Sequence, residues 1–255
     1  MTGNPRGIFT IYKFEMARFA RTFWTSLAMP VVTTSLYFVV FGAAIGSRMN
    51  QTGDVPYGAF IVPGLMMLTM FTESISNASF GIYLPKWTGT IYEPLSAPIS
   101  PLEMVIAYVG AAASKSVIVG SIIFATAHLF VDVQVAHPWL MVLFMIVIAI
   151  TFCLFGFIIG IWAQSFEQLQ VIPLLVVYPL TFLGGAFYAI EVLPPFWRAL
   201  TLFNPVVYLI SGFRWTFFGT GDVAIEVSLG ATALFLLLCL TVIFVMFRTG
   251  YRLKN

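Results

Sequence analysis

Between Trp139 and Trp162 the chain runs for 24 residues without one charged side chain. At 1.5 Å per residue a helix of that length spans ~36 Å, enough to cross a hydrocarbon core of ~30 Å. The two tryptophans at its ends suit the two membrane interfaces. A soluble domain cannot hide such a segment many times over, and this chain has several. Its 255 residues are 60% hydrophobic and only 9% charged, where a soluble domain carries about 25% charged residues. The sequence therefore specifies an all-α integral membrane protein.

Six spans are expected, at about 24–46, 57–83, 104–130, 139–162, 168–186 and 227–247. Pro30 lies near the start of the first, Pro63 in the second, and Pro173 and Pro179 in the fifth. Each proline removes a backbone hydrogen bond and bends its helix. The six spans leave no room for a sizeable soluble domain, so residues 1–255 form one transmembrane domain. The N-terminal stretch has bases spread over twenty residues and no short apolar core before a cleavage site, unlike a signal peptide. On a helical wheel of residues 8–23, Phe9, Tyr12, Met16, Phe19 and Phe23 gather on one side. Thr10, Lys13, Arg18 and Arg21 gather on the other. Residues 1–23 thus read as an interfacial helix with its bases toward anionic lipid head groups; the same residues also serve as a basic flank that sets topology.

Orientation follows from lysine and arginine placement. With a cytoplasmic N-terminus, the inner segments hold Arg6, Lys13, Arg18, Arg21, Lys86, Arg248, Arg252 and Lys254. The outer ones hold Arg48, Arg198 and Arg214. Eight against three places both termini in the cytoplasm.

Several chemistries are absent. No G-x-x-x-x-G-K-[ST] occurs, so the chain cannot cradle nucleotide phosphates in the P-loop manner. The three aspartates (Asp54, Asp132, Asp222) fall in outward loops with long spans between them, which gives no metal site. His128 and His137 read as interface residues, and Cys153 and Cys239 as small packing residues inside apolar runs. No serine nucleophile elbow is present. Nothing indicates an enzyme or a bound cofactor, and a net charge of +2 gives no reason to expect nucleic acid.

Two ionisable groups sit at membrane depth. Glu73 lies late in the second span, and Lys115 about 12 residues, or ~18 Å, into the third. An unpaired charge there is costly, so the expectation is an ion pair between Glu73 and Lys115 tying spans two and three. A proton relay is the alternative role.

The segment after span five is apolar, aromatic and broken by prolines. Within PLTFLGGAFYAIEVLPPFWRALTLFNPVVYLISGFRW (Pro179 to Trp215) it resembles the signature of the ABC-2 family of ABC-transporter permeases. The matching residues are Gly184, Gly185, Phe187, Tyr188, Leu193, Pro194, Asn204, Pro205 and Arg214. GTIYEPLSAPISPLEM (89–104) resembles the family's cytoplasmic segment between spans two and three, and LAMPVVTTSLYFVVFGAAIG (27–46) its first span.

The resemblance implies a homodimeric export permease of the bacterial inner membrane. It would be driven by two copies of a separate cytoplasmic ABC ATPase, to which ATP and magnesium belong. It also implies that residues 187–213 form a re-entrant helical hairpin in the outer leaflet, acting as the outer gate. Pro194 and Pro195 would separate its helices, Phe196 and Trp197 would anchor it, and Glu191 would face Arg198 across the turn. A passive aromatic loop is the plainer alternative. By the same resemblance Lys86, Trp87, Ile91, Tyr92, Glu93 and Leu95 belong to a coupling helix that reads ATPase closure, against a simple surface turn. Two rivals carry less: a secondary transporter using Glu73 and Lys115, which lacks the internal repeats such proteins show, and a lipid-active membrane enzyme, which lacks a catalytic cluster.

Overall fold

The apolar runs fold as helices whose ends are written into the chain. The computed structural model describes residues 4–45 and 55–251; Arg48, Asp54, Arg252 and Lys254, and the end of the first expected span at Gly46, lie outside them. In order come α1 (Pro5–Arg21), α2 (Phe23–Tyr37, continued by a π-helical stretch Phe38–Ile45), α3 (Tyr57–Thr88), α4 (Tyr92–Ser96), α5 (Pro101–Ala127) and α6 (Pro138–Trp162). Then follow α7 (Phe166–Ile172), a π-helical turn Pro173–Val177, α8 (Tyr178–Leu183), α9 (Pro195–Thr201), α10 (Pro205–Phe218) and α11 (Ile225–Thr249). Proline opens α1, α5, α6, α9 and α10, where its missing N–H costs nothing.

Six of these units are long and apolar enough to cross a membrane: Phe23–Gly42, Tyr57–Thr88, Pro101–Ala127, Pro138–Trp162, Phe166–Leu183 and Ile225–Thr249. They alternate in direction. One end of the bundle, here called proximal, carries α1, α4 and the end of α11. The distal end carries the 128–137 connection and everything from Gly184 to Ala224.

α3 is the central helix. Ile61, Met66, Met67, Met70, Phe71 and Ile75 are fully buried, and α3 packs against α5, α6 and α10. Small residues make the closest approach: a Cβ at Gly156 or Gly160 of α6 would collide with the α3 backbone at Ile75 or Ser79. Without a hydrophobic drive between helices in lipid, such close packing is the main source of association. Phe71 and Phe152 stack across the same contact at 4.1 Å. α2, the α7–α8 unit and α11 remain mostly exposed. Their Leu, Val and Phe side chains give the bundle an apolar outer surface.

Span five shows its prolines directly. The N–H of Tyr178 reaches back five residues to the Pro173 carbonyl, which widens the helix into a π turn. α3 and α5, at ~48 Å and ~40 Å, are longer than a ~30 Å core requires.

α1 lies along the proximal half of α5. The Asn4 N–H donates to the Glu103 carboxylate, and the Asn4 amide donates to Pro98 O at 3.3 Å. Further on, Tyr12 and Ser114 hydroxyls meet at 3.0 Å, and Glu15 meets Lys115. The contacts advance along both helices in the same sense, so α1 follows α5. Its faces differ from the wheel: Phe9 is 63% exposed, whereas Glu15, assigned to neither side, is buried.

Candidate functional sites at the two ends of the bundle

At the distal end the chain leaves α8 through Gly184 and Gly185. Gly185 has φ +80°, a conformation that costs an L-residue about 1–2 kcal/mol. This turn aims the following backbone at α3. The Phe187 carbonyl accepts from the buried Tyr57 hydroxyl at 3.0 Å, and Ala186 presses on α3 so closely that a Cβ at Gly64 would strike its carbonyl. The Phe187 ring enters a cluster with Tyr37, Phe41 and Phe182 at centroid distances of 5.7, 5.2 and 4.8 Å.

Arg214 closes this end. It is buried on α10, donates from Nη2 to Gly185 O at 2.5 Å, and pairs through Nη1 with Asp222. Its guanidinium sits 4.1 Å from the centroid of the Phe60 ring of α3, a cation–π contact. The other carboxylate oxygen of Asp222 accepts from Ile190 N–H at 3.0 Å. Burial pulls the Arg214 pKa down while the neighbouring Asp222 charge pushes it back; an arginine so partnered stays charged. Asn204 caps α10 by accepting from Val206 N–H at 3.0 Å, and its amide donates to Leu180 O. Tyr188, more exposed, donates to Leu183 O at 3.1 Å. Burial, then the Asp222 charge, raise its phenol pKa.

The residues expected at the outer gate therefore separate into two groups. Gly184, Gly185, Phe187, Asn204 and Arg214 form a buried clasp, with Tyr188 at its edge. Glu191, Pro194, Pro195, Phe196, Trp197, Arg198 and Pro205 are exposed, Phe196 to 73%. Among the described residues no ion pair joins Glu191 to Arg198, contrary to expectation: the acid lies in a 3₁₀ turn (Ile190–Val192) and the base on α9. Asp222 is the partner the sequence reading missed. Its signal was an acid just past the glycines that end α10, eight residues after a motif arginine.

At the proximal end α3 stops at Gly89, φ +77°, and the short α4 follows. Lys86 donates to the carbonyls of Ile161 and Ala163 at 2.7 and 3.0 Å, so it caps the C-terminus of α6. Trp87 stands edge-on to Phe166 at 5.3 Å and is still 63% exposed. Ile91 is buried and Leu95 packs on the core. Tyr92 is half-exposed, and Glu93 is exposed beside it. Ser100 and Glu103 then form a reciprocal capping box that starts α5, and the same Glu103 carboxylate receives Asn4. The α4–α5 connection and the start of α1 are thus one hydrogen-bonded unit.

The expected pair of Glu73 with Lys115 does not form. Lys115, 2% exposed, bonds Glu15 of α1 at 3.1 Å, and Glu15 also pairs with Arg18 at 2.7 Å. Glu73 instead accepts from its helical neighbour Asn77 at 3.0 Å. The reason is azimuth. Ser74 is wholly buried in the α3 interface, and one residue turns a helix by about 100°. That step turns Glu73 away, toward α2 and α8. The missed partner, Glu15, sits three residues after Tyr12 and four before Phe19, on the apolar stripe of α1.

Six apolar spans, with a proline-rich two-helix unit clasped to one end and a short exposed helix at the other, define a multi-span helical membrane protein. The chain belongs to the ABC-2 type transporter family, whose model matches residues 6–218. It is similar to the inner membrane transport permease YadH of Escherichia coli (strain K12), 36% identical over 247 residues that cover 96% of each chain. It is also similar to nodulation protein J of Rhizobium leguminosarum bv. viciae, 26% identical over 83% of this chain and 80% of the relative. Nodulation protein J of Rhizobium meliloti (strain 1021) is 24% identical over 82% of each.

Proposed function

We propose that this chain is the transmembrane subunit of an ATP-driven exporter in a bacterial inner membrane. Two copies form the pathway, and two copies of a separate cytoplasmic ATPase, which hold ATP and magnesium, drive it. Family membership supports a transport permease, and the YadH name supports the inner membrane. Residues 1–255 contain no P-loop sequence, and this reading assigns ATP hydrolysis to a partner.

The observation that carries the coupling role is the proximal surface around α4. Trp87 and Tyr92 stay 63% and 50% exposed beside the exposed Glu93, while Lys86, Ile91 and Leu95 fix the segment to the bundle. An apolar, singly charged short helix on a rigid base suits insertion into a groove of a partner. With this end in the cytoplasm, α1 starts at the inner boundary and runs beside the proximal half of α5, with the exposed Arg6 and Lys13 open to anionic head groups. At the other end α9 and α10 would dip into the outer leaflet as the outer gate, where irregular backbone is tolerated only against protein or a wet cavity. Phe196 and Trp197 would anchor it at the interface.

The test is purification of the chain from its native membrane with whatever ATPase accompanies it. Glu93→Arg should leave insertion and expression intact and abolish the ATP hydrolysis that transported molecules stimulate. Normal ATPase recovery with unchanged stimulation would refute the coupling role. The alternative, a secondary transporter using Glu73 and Lys115, is disfavoured by the lack of internal repeats in the sequence.

A further inference from the structure

Roughly halfway along α3, a cavity of about 230 Å³ opens between α2, α3 and α8. Glu73 lines it, with Thr33 and Tyr37 of α2, Thr69 and Thr72 of α3, and Tyr178 of α8. The rest of the lining is Met, Leu and Pro. Among the described residues no lysine or arginine lines it, and the hydrogen bond described for the Glu73 carboxylate comes from Asn77 on the same helix.

Two of the hydroxyls add to one sign of charge. Thr69 donates to Leu65 O at 3.1 Å, and Thr72 donates to Leu68 O at 3.0 Å. With their protons committed to the helix, both oxygens offer only lone pairs to the cavity. Tyr37 and Tyr178 line it as well. A carboxylate and two acceptor-only threonine hydroxyls among largely apolar walls form an electronegative site among helices whose outer surface is hydrocarbon-like. A charge in such a place marks function more often than packing.

We infer that the Glu73 cavity is a binding subsite for an organic ammonium group carried by the transported molecule. This rests on the permease reading and specifies what the pathway takes. The volume fits a head group and not a whole drug-sized ligand, so the apolar remainder of the molecule would lie along the exposed faces of α2 and α8. Free amphiphiles and aminolipids both carry such an ammonium, and the chemistry of recognition is the same.

The test measures equilibrium binding of radiolabelled octyltrimethylammonium to the full chain in maltoside micelles, without ATP. Saturable binding to the unaltered chain is expected. It should weaken about tenfold or more in Glu73→Gln, partly recover in Glu73→Asp, and weaken severalfold in Thr72→Val, which keeps the side-chain shape. Glu226→Gln, on the exposed start of α11, should change nothing, and the neutral carbon isostere of the probe should not distinguish unaltered chain from Glu73→Gln. Phosphatidylethanolamine added to the micelles displaces the probe if an aminolipid is the occupant. If a free amphiphile is, phosphatidylethanolamine acts no better than phosphatidylglycerol. Equal binding to the unaltered chain and to monodisperse Glu73→Gln, or no saturable binding to either, overturns the subsite. Because no ATPase is present, that failure is separate from a failure of ATPase coupling, which would leave binding intact.

Discussion

Two buried ion pairs hold the two ends of this bundle, and they are built differently. At the distal end Arg214 meets Asp222 only eight residues away, and the same guanidinium donates to Gly185 O and covers Phe60. At the proximal end Lys115 meets Glu15 one hundred residues away, and Arg18 offers Glu15 a second, partly exposed partner. The first is a compact knot in which both guanidinium Nη groups are held, one by Asp222 and one by Gly185 O. The second ties a peripheral helix to a span and has a spare cation. Breaking a buried pair leaves the survivor uncompensated, so the damage depends on what else the survivor can reach.

The largest effect should come from Arg214→Met. It strands Asp222, frees the Gly185 carbonyl and removes the contact to Phe60, a loss of about 3–5 kcal/mol. Thermal unfolding in detergent should show it as a drop of the whole transition. A near-unchanged midpoint would mean that the clasp is held by packing alone.

Glu15→Gln comes next, at about 2–3 kcal/mol, since Lys115 is then buried without its counter-charge. Lys115→Met should cost less, because Glu15 keeps Arg18, and the double variant should recover part of the Glu15→Gln loss. The signature should also be local: trypsin should cut at Lys13 and Arg18 in Glu15→Gln before the bundle unfolds. Equal resistance in both proteins would place the anchorage of α1 in its Asn4 and Tyr12 contacts.

Two of the left-handed glycines, one at each end, separate the ends on a smaller scale. Gly185→Ala and Gly89→Ala both carry the positive-φ cost of about 1–2 kcal/mol. At Gly185 the new methyl also meets Tyr188 O at 3.1 Å, whereas at Gly89 nothing lies within 4 Å. Gly185→Ala should therefore lower the unfolding midpoint more; the reverse order would show that the proximal turn is the tighter one.

The smallest expected effect is a null coupling. Glu73→Gln and Lys115→Met share no partner, so their effects on stability should add within about 0.5 kcal/mol. A coupling well above that would reinstate a link between spans two and three that the geometry does not contain.

What the sequence determined by itself were the quantities that depend on neighbours along the chain. Long apolar runs, four of them free of charge, set six spans; Pro5, Pro101, Pro138 and Pro205 mark helix starts, and Gly89 and Gly219 mark ends, because capping and backbone dihedrals are local. The Pro179–Trp215 motif disclosed the residues of the distal clasp for the same reason: Gly185, Asn204 and Arg214 lie within thirty residues of each other. Depth was legible too, since it follows from counting residues along a helix.

Azimuth was not. Glu73 and Lys115 sit at depths that suggested a pair, yet which way each side chain turns depends on how α3, α5 and α1 pack. The α3–α6 contact at Gly156 and Gly160 rotates Ser74 inward and Glu73 outward, and α1 brings Glu15 to Lys115 from the far end of the sequence. Only the tertiary structure decided those partners, because an ion pair in a helical bundle is fixed by helix rotation, and rotation is set by close packing between segments remote in the chain.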